Sequence, residues 1–134
     1  RAGRRQFLKR SRLLFEEDQK VFCLLFGANQ NVAGAHLEMI AFAEDVGRHN
    51  ALDKAIGKAF LARKLSRAAI AVLSSRISFE LVQKAARAHL PILISLSRPT
   101  ALSVEMGKAL NLTLACVDKG SELIVVCGEN RIVF

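Results

Sequence analysis

Cysteine is scarce in this sequence: Cys23, Cys116 and Cys127 are odd in number, and none stands in a Cys-x-x-Cys spacing. That excludes a metal-type cysteine pair and fits a reducing compartment. No apolar run approaches the roughly eighteen residues that a membrane-spanning helix needs. A leader with a small-residue cleavage site is also missing, so the cytoplasm is the expected location and no membrane partner is expected. Internal repeats and low-complexity stretches are absent. The first residue is Arg1 rather than Met, and a preceding segment is therefore expected.

What is present suits one compact core. The chain has 134 residues, 51% of them hydrophobic, which is too short for two independent cores. The net charge is +8, but Arg1, Arg4, Arg5, Lys9, Arg10 and Arg12 all precede the first acid, Glu16. The rest of the chain carries fourteen basic and twelve acidic groups, nearly in balance. Residues 1–12 therefore read as a basic tail or linker and residues 13–134 as a single α/β domain. Such a tail can steer a chain toward anionic partners, or it can be a solvated linker. The balanced body argues against nucleic acid as the principal partner.

Hydrophobic periodicity predicts an amphipathic helix over 13–26 and a strand over 36–43. Nearly continuous runs of Ala, Ile, Val and Leu predict further strands at 68–74, 91–96 and 113–117, buried on both faces. Helices are expected at 48–64, 78–89 and 100–110. In the first, Leu52, Ala55, Ile56, Ala59 and Phe60 form the inward stripe. In the second, Phe79, Val82 and Ala86 face inward, with Glu80 and Lys84 an exposed pair. In the third, Leu102, Met106, Ala109 and Leu110 face inward, and Asn111 caps the end. Segments 123–126 and 131–134 could add antiparallel edge strands. Alternating strands and helices imply a largely parallel sheet.

Open α/β sheets bind ligands where the carboxyl ends of the strands turn into helices. Three such turns here are polar in a recurring way: Glu44 to Asn50, Ser74 to Ser78, and Ser95 to Thr100. Each holds an arginine at a helix start: Arg48, Arg76 and Arg98. Helix N-termini carry partial positive charge and unpaired N–H groups, so arginines there are unfavourable unless an anion lies between them. A phosphate or pyrophosphate would supply that anion. The competing reading pairs Arg48 with Glu44 or Asp45 and Arg76 with Glu80, leaves Arg98 in water, and treats the serines and Thr100 as ordinary caps. Spacing alone leaves the two level.

The run from Glu44 to Gly57, Glu-Asp-Val-Gly-Arg-His-Asn-Ala-Leu-Asp-Lys-Ala-Ile-Gly, resembles the signature of the FdhD family of formate dehydrogenase accessory sulfurtransferases. Ser75 to Glu80 is similar to that family's Gly-Arg-x-Ser-x-Glu segment, and Pro99 to Leu102 to its Pro-Thr-Ser-Leu. The resemblance extends from about Asn31 to the C-terminus. It implies a cytidine-deaminase-like, three-layer α/β/α fold with a mainly parallel mixed sheet, and a homodimer. It also implies sulfur transfer from a cysteine desulfurase to molybdenum bis(molybdopterin guanine dinucleotide), bound as substrate and destined for formate dehydrogenase. Guanosine diphosphate would mimic the nucleotide arm. The residues expected to bind this substrate are His36, Asp45, Gly47, Arg48, His49, Asn50, Ser75, Arg76, Ser78, Ser97, Arg98 and Thr100, together with the segment Val117, Asp118, Lys119, Gly120, Ser121 and Glu122.

Three departures accompany the resemblance. The family's sulfur-carrying Cys-x-x-Cys loop has no counterpart in this chain, so no catalytic residue is assigned and sulfur transfer is expected only if that loop lies upstream. Val32 to His36 stands for the family's Thr-Gly-Gly-x-His without its hydroxyl. Ser75 replaces a usual glycine, and Asp118, Ser121 and Glu122 make the last segment acidic. Cys23, Cys116 and Cys127 read as buried structural thiols. A zinc deaminase shares the implied fold, and His36-Leu37-Glu38 matches its His-x-Glu, but the two cysteine ligands are lacking and no metal is expected. His36 is then a core-edge histidine or a ligand contact. A second alternative is a non-catalytic module that binds a nucleotide or a partner.

Overall fold

The computed structural model describes residues 20–28 and 36–132. The basic tail and the first part of the helix expected over 13–26 lie outside them. Six strands form a single mixed sheet in the order β2-β1-β3-β4-β5-β6. The strands are β1 (Val21–Ala28), β2 (Leu37–Asp45), β3 (Ala68–Leu73), β4 (Ile92–Ser95), β5 (Thr113–Val117) and β6 (Leu123–Cys127). Three helices connect them: α1 (Arg48–Leu61), α2 (Phe79–Arg87) and α3 (Ala101–Ala109).

β1 corrects the expected helix at 21–26. Val21, Phe22, Cys23, Leu24 and Leu25 are all buried, which a one-sided helix does not achieve. A central strand does, because its two faces are covered separately and its β-branched and aromatic side chains suit the pleat. β1 pairs antiparallel with both β2 and β3. β3, β4 and β5 are mutually parallel, and β6 returns antiparallel along β5. β2, β3, β4 and β5 consequently all point the same way. Their carboxyl ends, near Asp45, Leu73, Ser95 and Val117, share one edge of the sheet.

One hydrophobic core joins the sheet to all three helices. Ala51, Leu52, Ala55 and Ala59 of α1 and Leu81, Val82 and Ala85 of α2 pack with Cys23, Leu25, Ala43, Ala71, Leu73, Leu93 and Leu114, while Val104 and Met106 of α3 pack against the same cluster. The described residues thus supply the sheet and one helical layer. The sheet's other face carries Phe22 stacked on Phe42, with ring centroids 6.4 Å apart. Close approach of elements requires glycine at two places. A Cβ on Gly27 would stand 2.1 Å from the Arg67 carbonyl oxygen. A Cβ on Gly107 would meet Leu114 at 2.9 Å, so α3 lies low on β5 through Gly107 and the buried Ser103.

Helix rotations differ from the periodicity in instructive ways. In α1 the buried stripe is Ala51, Leu52, Ala55 and Ala59, while Phe60 is 67% exposed. In α3 the buried positions are Ser103 and Gly107, and Leu102 and Leu110 face outward, because small residues win where backbones approach closely. In α2, Leu81, Val82 and Ala85 are inward. The expected Glu80–Lys84 pair is replaced by longer-range contacts: Lys84 reaches Asp53 of α1 at 2.8 Å, and Glu80 faces His49. Asn111 does end α3 in the left-handed region, at φ 57°. The expected strand at 131–134 is a 3-10 turn at Glu129–Arg131, with the last two residues outside the described set.

The free edge of β2 is guarded. Lys58 of α1 donates to the Phe42 carbonyl at 2.8 Å and Lys54 to that of Glu44 at 3.4 Å, which occupies outward acceptors that a foreign strand would use. No helix among the described residues is long and apolar enough to cross a membrane.

Leu52 and Phe60 fall on one stripe by periodicity, and the structure separates them. Leu52→Ala is expected to cost about 2–5 kcal/mol through a cavity in the core. Phe60→Ala is expected to cost no more than about 0.5 kcal/mol, since its ring faces solvent. Denaturant midpoints of the two variants measure the difference.

Candidate functional site

At the common edge of the strand ends, three turns lead into three helices, and hydrogen bonds tie the second turn to β1 and the third turn to the second. The first turn follows β2. Asp45 bends back to accept the Gly47 N–H at 3.0 Å and binds Lys54 at 2.5 Å, with the Asn50 amide at 3.5 Å. These contacts hold its carboxyl down at about 2, the Gly47 N–H first and Lys54 next. Asp45 is therefore a strut of the turn, held by Lys54 rather than by Arg48. Gly47 has extended backbone at φ −101° as the N-cap of α1.

The second turn follows β3. Ser74 Oγ accepts the Phe22 N–H at 2.8 Å, and the Ser74 N–H donates to the Phe22 carbonyl at 3.1 Å, which fastens this turn to the start of β1. Ser75 is half-buried and its hydroxyl donates to the Arg76 carbonyl at 3.3 Å. Ser78 occupies the N-cap of α2 but makes no side-chain cap. It is 7% exposed, and its Oγ is buried without a hydrogen-bond partner among the described residues. A buried unpaired hydroxyl at a helix N-terminus is costly as it stands and is a ready donor to an anion.

The third turn follows β4. The buried Ser95 hydroxyl donates to the Ser97 carbonyl, and Thr100 caps α3 by accepting the Ser103 N–H at 3.1 Å. The Thr100 N–H donates to the Ile77 carbonyl at 3.1 Å, tying the third turn to the second. His49 Nε2 lies 3.6 Å from Glu80, beyond hydrogen-bond length, where the first and second turns come together. Next to the third turn is the β5–β6 loop. There Asp118 caps the Lys119 N–H at 2.7 Å and Ser121 sits at φ 65°, while Lys119, Gly120 and Glu122 are exposed.

Arg48, Arg76 and Arg98 are exposed at this edge, and their side chains have neither an ion pair nor a hydrogen bond among the described residues. Of the acids in these turns, Asp45 is held by Lys54, Glu80 lies 3.6 Å from His49, and Glu44 is exposed. The edge gathers the expected residues of all three turns and the 117–122 segment. It does not gather His36. That residue precedes β2, whose pairing runs from Leu37 opposite Ala28 to Asp45 opposite Val21. Nine strand residues, about 30 Å, separate His36 from the edge. Glu38, two positions on, is paired with Arg67 instead of a metal-bound water. Among the described residues no cluster of three His, Cys, Asp or Glu side chains could hold a metal ion.

Lys54 and Ser95 hold the first and third turns, roles that the sequence reading does not assign to them. Their roles depend on long-range register that spacing does not carry. The cysteines are withdrawn: Cys23, Cys116 and Cys127 are 0%, 3% and 4% exposed. Burial pushes the Cys23 thiol up to about 12 and raises that of Cys116, with Arg98 opposing and Asp118 adding to the Cys116 shift.

The structure is a mixed α/β domain whose strand ends present three exposed arginines at helix starts. Residues 14–133 match the model of the FdhD/NarQ family, and the chain belongs to that family. It is 41% identical over 96 residues to the sulfur carrier protein FdhD of Streptomyces avermitilis, covering 71% of this chain and 34% of that protein. It is 44% identical over 102 residues to the protein of the same name from Bordetella parapertussis, covering 75% and 36%. The Mycobacterium tuberculosis relative, also a sulfur carrier protein FdhD, is 39% identical over 116 residues, covering 85% and 42%. The chain thus spans between a third and two-fifths of the length of these relatives. A crystal structure from Desulfotalea psychrophila, described as a candidate formate dehydrogenase accessory protein, superposes with a TM-score of 0.75 at 26% identity, over 97% of this chain and 57% of that one.

The Asp45 contacts predict an acid-sensitive first turn. Its folded value, about 2, lies below the ordinary 3.8, so its contribution is complete above the ordinary value and is lost as pH falls through the folded one. Unfolding midpoints measured from pH 5 down to about 2 are expected to fall more steeply in the wild type than in Asp45→Asn, which lacks that titration.

Proposed function

We propose that this chain is the substrate-binding part of a formate dehydrogenase accessory sulfurtransferase. In this reading the strand-end edge holds the guanine dinucleotide arms of molybdenum bis(molybdopterin guanine dinucleotide), which is cargo and not a resident group. The observation that carries the proposal is that Arg48, Arg76 and Arg98, at three helix starts along one edge, make no ion pair or hydrogen bond among the described residues. A pyrophosphate between them turns an unfavourable arrangement of like charges into charge-assisted hydrogen bonds. The unpaired Ser78 hydroxyl and the free N–H groups of the helix starts add donors of the right polarity.

The chain's own residues bind and orient here; none of them carries sulfur. Its three thiols are buried, and on this reading the sulfur is carried by cysteines other than these. A cysteine desulfurase as sulfur donor, formate dehydrogenase as recipient, a two-fold homodimer and a cytoplasmic location complete the proposal, all by extension from the family. The alternative of a non-catalytic nucleotide-binding module rests on the same arginines and differs only in what lies beyond the chain.

Guanosine diphosphate tests the site. Arg76→Ala is expected to weaken its binding about 10- to 150-fold, the equivalent of one charged hydrogen bond. Arg4→Ala in the basic tail is expected to leave it nearly unchanged at physiological salt. Titration calorimetry that finds Arg76→Ala equal to wild type, with binding lost on tail substitutions, contradicts the strand-end site.

A further inference from the structure

α1 starts at the arginine edge and runs 14 residues, about 21 Å, to the opposite edge of the sheet. There its last turn leaves Phe60 67% and Leu61 82% exposed. Together with Arg63, Leu65 and Ser66 they line a groove of about 460 Å³. Core packing does not account for these two side chains, since α1 buries Ala51, Leu52, Ala55 and Ala59 instead.

The groove has a basic rim: Lys58, Arg63, Lys64 and Arg67 stand in the last turn of α1 and just after it. Lys58 is directed to the Phe42 carbonyl, and Arg67 is paired with Glu38. Arg63 and Lys64 have no side-chain partner among the described residues. Arg63 also stands at φ 58°, a left-handed position after the helix end that glycine fills at least strain. The turn is closed by backbone bonds alone, Arg63 N–H to Phe60 O at 3.0 Å and Lys64 N–H to Ala59 O at 2.9 Å. The fold therefore asks for no arginine side chain at this position and would be better served without one.

We infer that this groove docks a segment of a partner protein bearing a bulky apolar residue flanked by carboxylates. The apolar residue covers Phe60 and Leu61, and the carboxylates meet Arg63 and Lys64. Charge complementarity selects this occupant. Two copies joined groove to groove would set basic rim against basic rim, and a nucleic acid would leave the two apolar side chains at the groove uncovered. The surface is distinct from the arginine edge, so partner docking and nucleotide binding can proceed on one molecule at once.

The test is fluorescence anisotropy with a labelled peptide of sequence Asp-Glu-Leu-Leu-Phe-Glu-Asp, and a control peptide in which lysine replaces every acid. The wild-type chain is expected to bind the acidic peptide and not the control. Arg63→Gly is expected to weaken binding about tenfold while its thermal midpoint stays level or rises, because the left-handed strain is relieved. Phe60→Ser combined with Leu61→Ser is expected to remove binding, with the circular dichroism melt retained. The inference is overturned if the wild type binds neither peptide or both equally, or if Arg63→Gly binds as the wild type does. It is equally overturned if sedimentation shows that the face pairs two copies of the chain, in a dimer that the serine variant dissolves.

Discussion

The double antiparallel pairing of β1 is the constraint on which the rest of this molecule depends. Because β1 is hydrogen-bonded antiparallel to β2 on one side and β3 on the other, those two strands point the same way. Their carboxyl ends then lie beside those of β4 and β5. Without β1 between them, the first arginine turn would not share an edge with the second and third. The pairing is secured at the edge itself by the reciprocal bonds between Phe22 and Ser74. Register matters as much as direction, since a slip of one residue would exchange the core-facing Cys23 and Leu25 for Phe22 and Leu24.

From that constraint follows a division of labour along α1. Its first turn belongs to the arginine edge, where Asp45, Lys54 and Asn50 stiffen the approach. Its middle shields the open edge of β2 with lysines and packs the core with alanines. Its last turn carries the exposed apolar groove. Charge is distributed in the same sense: Asp45 and Asp53 are paired with Lys54 and Lys84, while the three arginines make no ion pair among the described residues.

Much of this was legible in the sequence, and the parts that were not have physical reasons. β5 at 113–117 follows from an apolar run bounded by polar residues, and Asn111 from the tolerance of asparagine for left-handed backbone. The three turns follow from the rule that strand-to-helix turns gather ligands. β1 is not legible locally, because Glu16 to Lys20 ahead of it lend a helical period to a strand sequence. Phe60, Leu102 and Leu110 were assigned inward because periodicity cannot register that Ala59, Ser103 and Gly107 permit closer contact. His36 was placed with the site on a motif similarity, whereas the antiparallel return of β2 carries it to the far edge.

The central claim is that one anion site is assembled from three turns distant in sequence. The most direct measurement is an amide-resolved NMR titration of the chain with guanosine diphosphate. The account predicts that the N–H signals of Gly47 to His49, Arg76 to Ser78 and Arg98 to Thr100 shift together with one dissociation constant, while those of Phe60 to Ser66 stay still. Shifts confined to the first nineteen residues, or three turns responding with unrelated affinities, would contradict it.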